Sequence, residues 1–308
     1  MRVFTRVVER RSFTLAAQDT GLPRSTVTDA VKQLEARLGV RLLQRTTRHV
    51  SPTLDGEAYY RRCLSLIAEI EDAEGAFAGT KPKGLLRIDV QGTLARHFIL
   101  PSLPAFFREY PEIEMSMSEG ERWIDPVREG VDCVLRFGNL ADSDLVARRV
   151  ITLERLTCAS PGYLESFGRP ADLDSLDGHR MVGLRSLTTG NLRPLEFIVG
   201  ETSRRLTLPT ILSVTGTESY LATALLGLGL VQVPHFHAEA DLMKGTLVQL
   251  LPDHPPPPIP VWLLYPRNRQ LSPRVRAFLD WASQEFAARS SASAPAAAGQ
   301  LAILARDL

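Results

Sequence analysis

The stretch that most restricts the fold of this chain is residues 12–39, SFTLAAQDTGLPRSTVTDAVKQLEARLG. Ser12 or Thr14 can cap a first helix, which Gly21 ends. Pro23 opens a second helix at the point where its missing N–H costs nothing. In that second helix Val27, Ala30 or Val31, Leu34 and Leu38 recur at helical spacing and make an apolar face. The opposite face carries Arg24, Ser25, Thr28, Asp29 and Lys32, all able to hydrogen-bond. Helix, glycine turn and a second helix with a polar face form a helix-turn-helix, whose second helix enters the DNA major groove. Residues 3–9, VFTRVVE, predict a further helix ahead of it, and the β-prone runs around Arg45, Thr46, Thr47 and Arg48 predict a basic hairpin. Such a hairpin suits phosphate or minor-groove contact.

Charge agrees with that reading. The chain of 308 residues has a net charge of +1. Residues 1–52 alone hold ten Lys/Arg against four acids, so the head is +6 and the rest −5. A basic head on a mildly acidic body points to nucleic acid.

Four motifs follow in order: SFT-x-AA, S-x-V-[ST], LE-x-x-LGV-x-LL-x-R-[TS] and T-x-x-G-E. With them, residues 11–60 resemble the winged helix-turn-helix of LysR-type transcriptional regulators. The resemblance implies base and phosphate contacts from Arg24, Ser25, Thr28 and Asp29, with Lys32 beside them, and from Arg45, Thr46 and Arg48 in the wing. Most members carry a cation where this chain has Asp29. A carboxylate there either accepts from cytosine N4 or pairs with Lys32 one turn on; in both cases it alters which sequence is read. Members also have more residues ahead of the segment matching Met1, which implies a first helix short by one or two turns and a start codon upstream.

From Thr53 a long helix is predicted. Tyr59, Cys63, Leu66, Ile70, Ala73 and Phe77 are spaced 4, 3, 4, 3, 4, the seam of a coiled coil. The alternative is packing against the chain's own body. A dimer through this helix is the expectation, and the resemblance agrees; Cys63 reads as a packing residue on the seam. GTKPKG, residues 79–84, reads as a hinge.

Beyond the hinge, strand-like and helix-like segments alternate, which argues for parallel sheets wound by helices. LRIDV, LPSLPAFFREYPEIEMSMS, GVDCVLRFG, CASPGYL, LLGLGLVQVP and LSPRVRAFLDWA resemble the effector domain of the same family, a two-lobed α/β fold like periplasmic solute-binding proteins. The expected organisation is a winged helix-turn-helix at 1–52, a linker helix at 53–78 and the hinge at 79–84. Lobe one follows at 85–158 plus 262–290, lobe two at 159–261, and a disordered tail at 291–308. The chain would thus cross between lobes near Cys158 and Trp262. The resemblance implies an effector pocket at Thr93, Leu94, Arg136, Phe137, Thr215, Thr217 and His235. Thr93 and Thr217 each precede a helix and favour an anion, and Arg136 adds either a carboxylate contact or a structural salt bridge. A small carboxylate or an aromatic acid is the implied effector.

Competing readings find little to stand on. His235 and His237 in HFH read as sharing one face of a strand, with no third ligand apparent, so a surface pair or pocket edge is expected rather than a metal. No P-loop, nucleophile elbow or acid–base constellation supports an enzyme, and no cofactor is implied. Cys63, Cys133 and Cys158 form no disulfide framework. No run of 18 apolar residues or secretory signal appears, which argues for the cytoplasm and against a solute-capture protein. The implied partners are promoter DNA, a small-molecule effector, further copies of the chain as a dimer or tetramer, and RNA polymerase.

Overall fold

The computed structural model describes residues 1–45, 50–76, 81–138, 144–267 and 271–292. The head opens with α1 (Arg2–Arg10), α2 (Phe13–Thr20) and α3 (Arg24–Leu38). Ser12 caps α2, its hydroxyl accepting from the Leu15 N–H at 3.3 Å, and Gly21 ends it at φ 66°. Pro23 is itself the cap residue of α3 rather than its first helical position. The head's core joins Phe4, Val7, Phe13, Ala16, Val27, Val31 and Leu34 to Leu42, Leu43 and Cys63. Burial of each larger apolar side chain contributes about 1.5–3 kcal/mol. Val31 supplies the apolar face of α3, whereas Ala30 and Leu38 are exposed. Arg10 pairs with both carboxylate oxygens of Asp19, at 2.5 and 3.2 Å, and ties α1 to α2. That contact holds the Asp19 carboxyl below its ordinary range.

Strands β1 (Leu43–Arg45) and β2 (Val50–Pro52) pair antiparallel as the wing's base. A Glu35 oxygen accepts from the Leu42 and Leu43 N–H groups at 2.9 and 3.0 Å and fixes that base against α3. The predicted contacts Thr46 and Arg48 lie outside the described residues, as does Phe77.

Helix α4 (Leu54–Ala76) begins where the Thr53 hydroxyl accepts from the Gly56 N–H at 2.9 Å and donates to the Arg41 carbonyl at 2.7 Å. Here the seam expectation needs correction. Cys63 is fully buried in the head's own core, and Tyr59 packs there with its ring 5.6 Å from that of Phe4. The first turns of α4 therefore complete the head, because the three short helices alone leave an apolar face open. Burial pushes the Cys63 thiol up, consistent with a packing role. Leu66 is half-buried and Ile70 is 48% exposed, so the seam leaves the head's core by Ile70.

The body runs through β3 (Gly84–Val90), α5 (Gly92–Leu94), a π-helical turn at Ala95–Ile99, α6 (Leu103–Glu109), β4 (Ile113–Glu119), α7 (Pro126–Glu129), β5 (Cys133–Phe137) and β6 (Leu145–Leu153). It crosses into β7 (Arg155–Ala159), α8 (Pro161–Phe167), β8 (Gly183–Arg185), β9 (Leu192–Arg193), β10 (Leu195–Val199), β11 (Thr202–Leu206) and β12 (Ser213–Val214). Then come α9 (Thr217–Leu225), β13 (Val231–Pro234), α10 (His235–Lys244) and β14 (Val248–Leu250), before β15 (Ile259–Pro266) and α11 (Pro273–Ala292) return. One lobe holds a five-stranded sheet in the order β4-β3-β5-β15-β6, the other a β13-β7-β14 sheet with β12-β8-β9 beside it.

Two expectations are corrected. The sheets are not parallel throughout: in lobe one β3 runs parallel to β4 and β5 but β15 is antiparallel to β5 and β6, and in lobe two β7 is antiparallel to both β13 and β14. The crossings also move. Cys158 belongs to β7 in the second lobe and Trp262 to β15 in the first, so the chain crosses at Glu154 and through the prolines at 255–258. A proline run suits that crossing because it is stiff and offers no N–H to a sheet edge. Helix α11 continues to Ala292, into the segment expected to be a disordered tail.

Candidate functional site

Two surfaces carry the candidate chemistry. On the head, α3 presents Arg24, Ser25, Asp29 and Lys32 to solvent. Thr28 is half-buried and its hydroxyl donates to the Arg24 carbonyl at 2.8 Å, so it offers a methyl group and an oxygen acceptor rather than a free donor. Among the described residues the head's ion pairs join Arg6 to Glu9 and Asp19, and Arg10 to Asp19; none joins Asp29 to Lys32. The Asp29 carboxylate is therefore left to whatever α3 meets.

The second surface is a cleft of about 410 Å³ between the lobes. Of the predicted pocket residues, Arg136, Phe137, Thr215 and Thr217 line it. Leu94 does not: it is fully buried in lobe one's core, because the helix after β3 turns that face inward. Thr93, also fully buried, meets Thr217 across the lobes at 2.6 Å. The Thr217 hydroxyl donates to Glu121 at 3.0 Å, so Thr93 donates to Thr217. The Gln91 amide donates to the other Glu121 oxygen. A carboxylate of the chain itself thus sits at the N-terminus of α9 and links the lobes.

Arg136 is spent on structure. Its guanidinium pairs with Asp89 and donates to the Leu135 and Arg122 carbonyls at 2.9 and 3.2 Å, with both ionic side chains buried. Only its Nε–H lacks a hydrogen-bond partner. Arg155 likewise pairs with Glu196 at 3.3 Å. By contrast Arg185, which bonds only Ser213 and the Gly190 carbonyl, and Arg193 make no ion pair among the described residues. Trp123, Phe137 and Tyr220 add aromatic walls, and burial pushes the Tyr220 phenol up to about 12, keeping it protonated.

His235 is corrected as well. HFH opens helix α10 instead of lying on a strand, so the two histidines point different ways: His235 is exposed, while His237 is buried and lines the cleft. His237 stands beside Glu218 of α9 and His97 of the π-helical turn, donors that are 19 and 140 residues away in sequence. Only folding brings them together. Gln91, Glu121, Trp123, Arg185 and Arg193 were also not anticipated, since they lie on loops or strand ends with no local motif.

A winged helix-turn-helix joined by a long helix to a two-lobed ligand cleft is the architecture of a ligand-responsive DNA-binding regulator. Residues 1–57 match the family described as bacterial regulatory helix-turn-helix protein, lysR family, and residues 79–287 match the LysR substrate binding domain. The chain belongs to the LysR-type transcriptional regulators. It is 36% identical over 285 residues to the HTH-type transcriptional regulator YhjC of Escherichia coli K12, covering 91% of this chain and 95% of that one. The solved structure of CrgA, a LysR-type regulator from Neisseria meningitidis, superposes with a TM-score of 0.60 at 31% identity, over 92% of this chain and 97% of that one. The full-length Vibrio cholerae virulence activator AphB gives 0.56 at 26% identity, over 91% and 96%. Among the described residues no helix is long and apolar enough to cross a membrane.

Proposed function

We propose that this regulator reads promoter DNA with the exposed face of α3 and takes a small carboxylate, preferably aromatic, between its lobes. The observation that carries the effector assignment is Glu121: the Thr217 hydroxyl at the start of α9 and the Gln91 amide already donate to a carboxylate there. Arg185 and Arg193, without acid partners among the described residues, balance an incoming anion's charge. Trp123, Phe137 and Tyr220 suit a flat ring. An effector carboxylate would displace Glu121 from Thr217. That change reaches the linker through neighbouring Arg122, which pairs with Glu129 at 2.8 Å, as Glu129 does with Arg61 of α4 at 3.5 Å. Binding would thereby favour one arrangement of the assembled heads. Pairing through α4 would place two α3 helices on a pseudo-palindrome, and contact with RNA polymerase would follow at the promoter.

Fluorescence anisotropy on the DNA upstream of the coding sequence, against a scrambled duplex and across a salt series, tests the first half. A preference for the upstream duplex with a steep salt slope is expected. Arg24→Ala should relax that preference and Arg48→Ala should weaken both duplexes alike; equal, weak binding by the parent protein would count against site-specific reading. For the cleft, Glu121→Gln removes the competing charge. It should tighten aromatic carboxylates by roughly tenfold, about 1.4 kcal/mol, in thermal-shift titrations, with the matching amides unaffected. Equal shifts from acid and amide would sink the carboxylate assignment.

A further inference from the structure

We propose that His97, Glu218 and His237 bind one divalent transition-metal ion of the zinc class, which clamps lobe one to lobe two at the edge of the effector cleft. One ligand atom from each residue lies within 4.8 Å of the others. The His237 Nε2–Glu218 Oε1 separation is 3.5 Å, close to the edge of roughly 3.4 Å that zinc–ligand bonds of about 2.0–2.1 Å set in a tetrahedron. That separation is too long for a good hydrogen bond. Glu218 Oε1 is buried without a hydrogen-bond partner. Buried polar atoms left so are uncommon and call for a ligand.

The donor set decides the ion's chemistry. Two imidazoles and a carboxylate suit Zn²⁺, Co²⁺ or Ni²⁺, whereas Mg²⁺ and Ca²⁺ require oxygen ligands. Burial holds His97 and His237 below the ordinary histidine range, the direction that favours the neutral imidazole. Arg96 pairs with the second Glu218 oxygen at 3.1 Å, and Arg289 donates to the His97 carbonyl, so two cations oppose the ion. Asp241, one turn beyond His237 on α10, acts in the opposite sense. Because His97 belongs to lobe one and the other two donors to lobe two, the ion would tie together the lobes already joined by the Thr93–Thr217 hydrogen bond.

The test uses the full-length protein, stripped with chelator and titrated with ZnCl2 by calorimetry, and with CoCl2 by visible absorption. One ion per chain is expected, with a Co²⁺ ligand-field band characteristic of four-coordination and a rise in unfolding temperature. His97→Gln, Glu218→Gln and His237→Gln should each weaken binding at least about tenfold, while exposed His235→Gln leaves it unchanged. Arg96→Gln, which removes a competing cation, should tighten it. Should buried His237→Gln fail to fold, half-exposed His97→Gln decides the matter. Uptake below one ion per chain, or equal affinity in parent and His97→Gln, would overturn the site. DNA and effector binding are not needed for the readout, so this result stands apart from the regulatory reading.

Discussion

Alanine in place of Gly56 should separate the linker helix from the DNA-binding head and abolish specific DNA binding. A Cβ built on Gly56 falls 1.9 Å from the Leu42 carbonyl oxygen and 2.8 Å from its carbon. The obstacle is backbone and cannot rotate away. That same carbonyl accepts from the Thr53 N–H at 2.9 Å, so α4 cannot recede without losing that hydrogen bond. Overpacking of this kind costs about 1–3 kcal/mol, and loss of the Thr53–Leu42 hydrogen bond adds about 1 kcal/mol. Leu42, Leu43 and Cys63 share one core at this joint, so displacing α4 also opens the base of the wing. Thermal unfolding and anisotropy on the same sample check the expectation. A Gly56→Ala protein that melts and binds like its parent would mean the joint yields more than its packing implies.

The second large effect is expected at Arg136. Removing it strands Asp89, whose side chain is 9% exposed and whose other contacts within lobe one include the Ser118 hydroxyl. An uncompensated buried charge costs about 3–5 kcal/mol, whereas replacing both partners with apolar residues of similar volume is often nearly neutral. Arg136→Ala should therefore lower the denaturation midpoint sharply. An Arg136→Met, Asp89→Leu double variant should recover much of the loss. A residue whose work is to hold the effector would behave differently: Arg136→Ala would leave stability intact and weaken only ligand binding. Chemical denaturation of the parent, the single variant and the double variant, with and without a bound effector, separates these outcomes.

Local spacing made the head legible. Ser12, Gly21, Val27, Val31 and Leu34 act on neighbours within a turn or two, so their roles follow from helix geometry and capping. The alternation of strands and helices, and the chain order of the motifs, likewise implied a two-lobed body. Failures came wherever two distant segments compete for one side chain. Cys63 and Tyr59 have seam spacing, yet the nearest open apolar surface is the head's own, and burial there wins because it needs no second chain. Arg136 was equally able to serve an anion or a buried partner, and Asp89 on the adjacent strand decided it.

The sequence by itself determined what depends on short-range periodicity and charge: a basic helix-turn-helix with its polar face outward, a long helix after it, and an α/β body. Tertiary structure alone decided which side chains meet in the cleft. Glu121 reaches Thr217 across 96 residues, and His97 meets His237 across 140. No periodicity encodes such meetings, because they depend on strand order and on where the chain crosses between lobes. Those features are set by the packing of whole sheets rather than by any local run of residues.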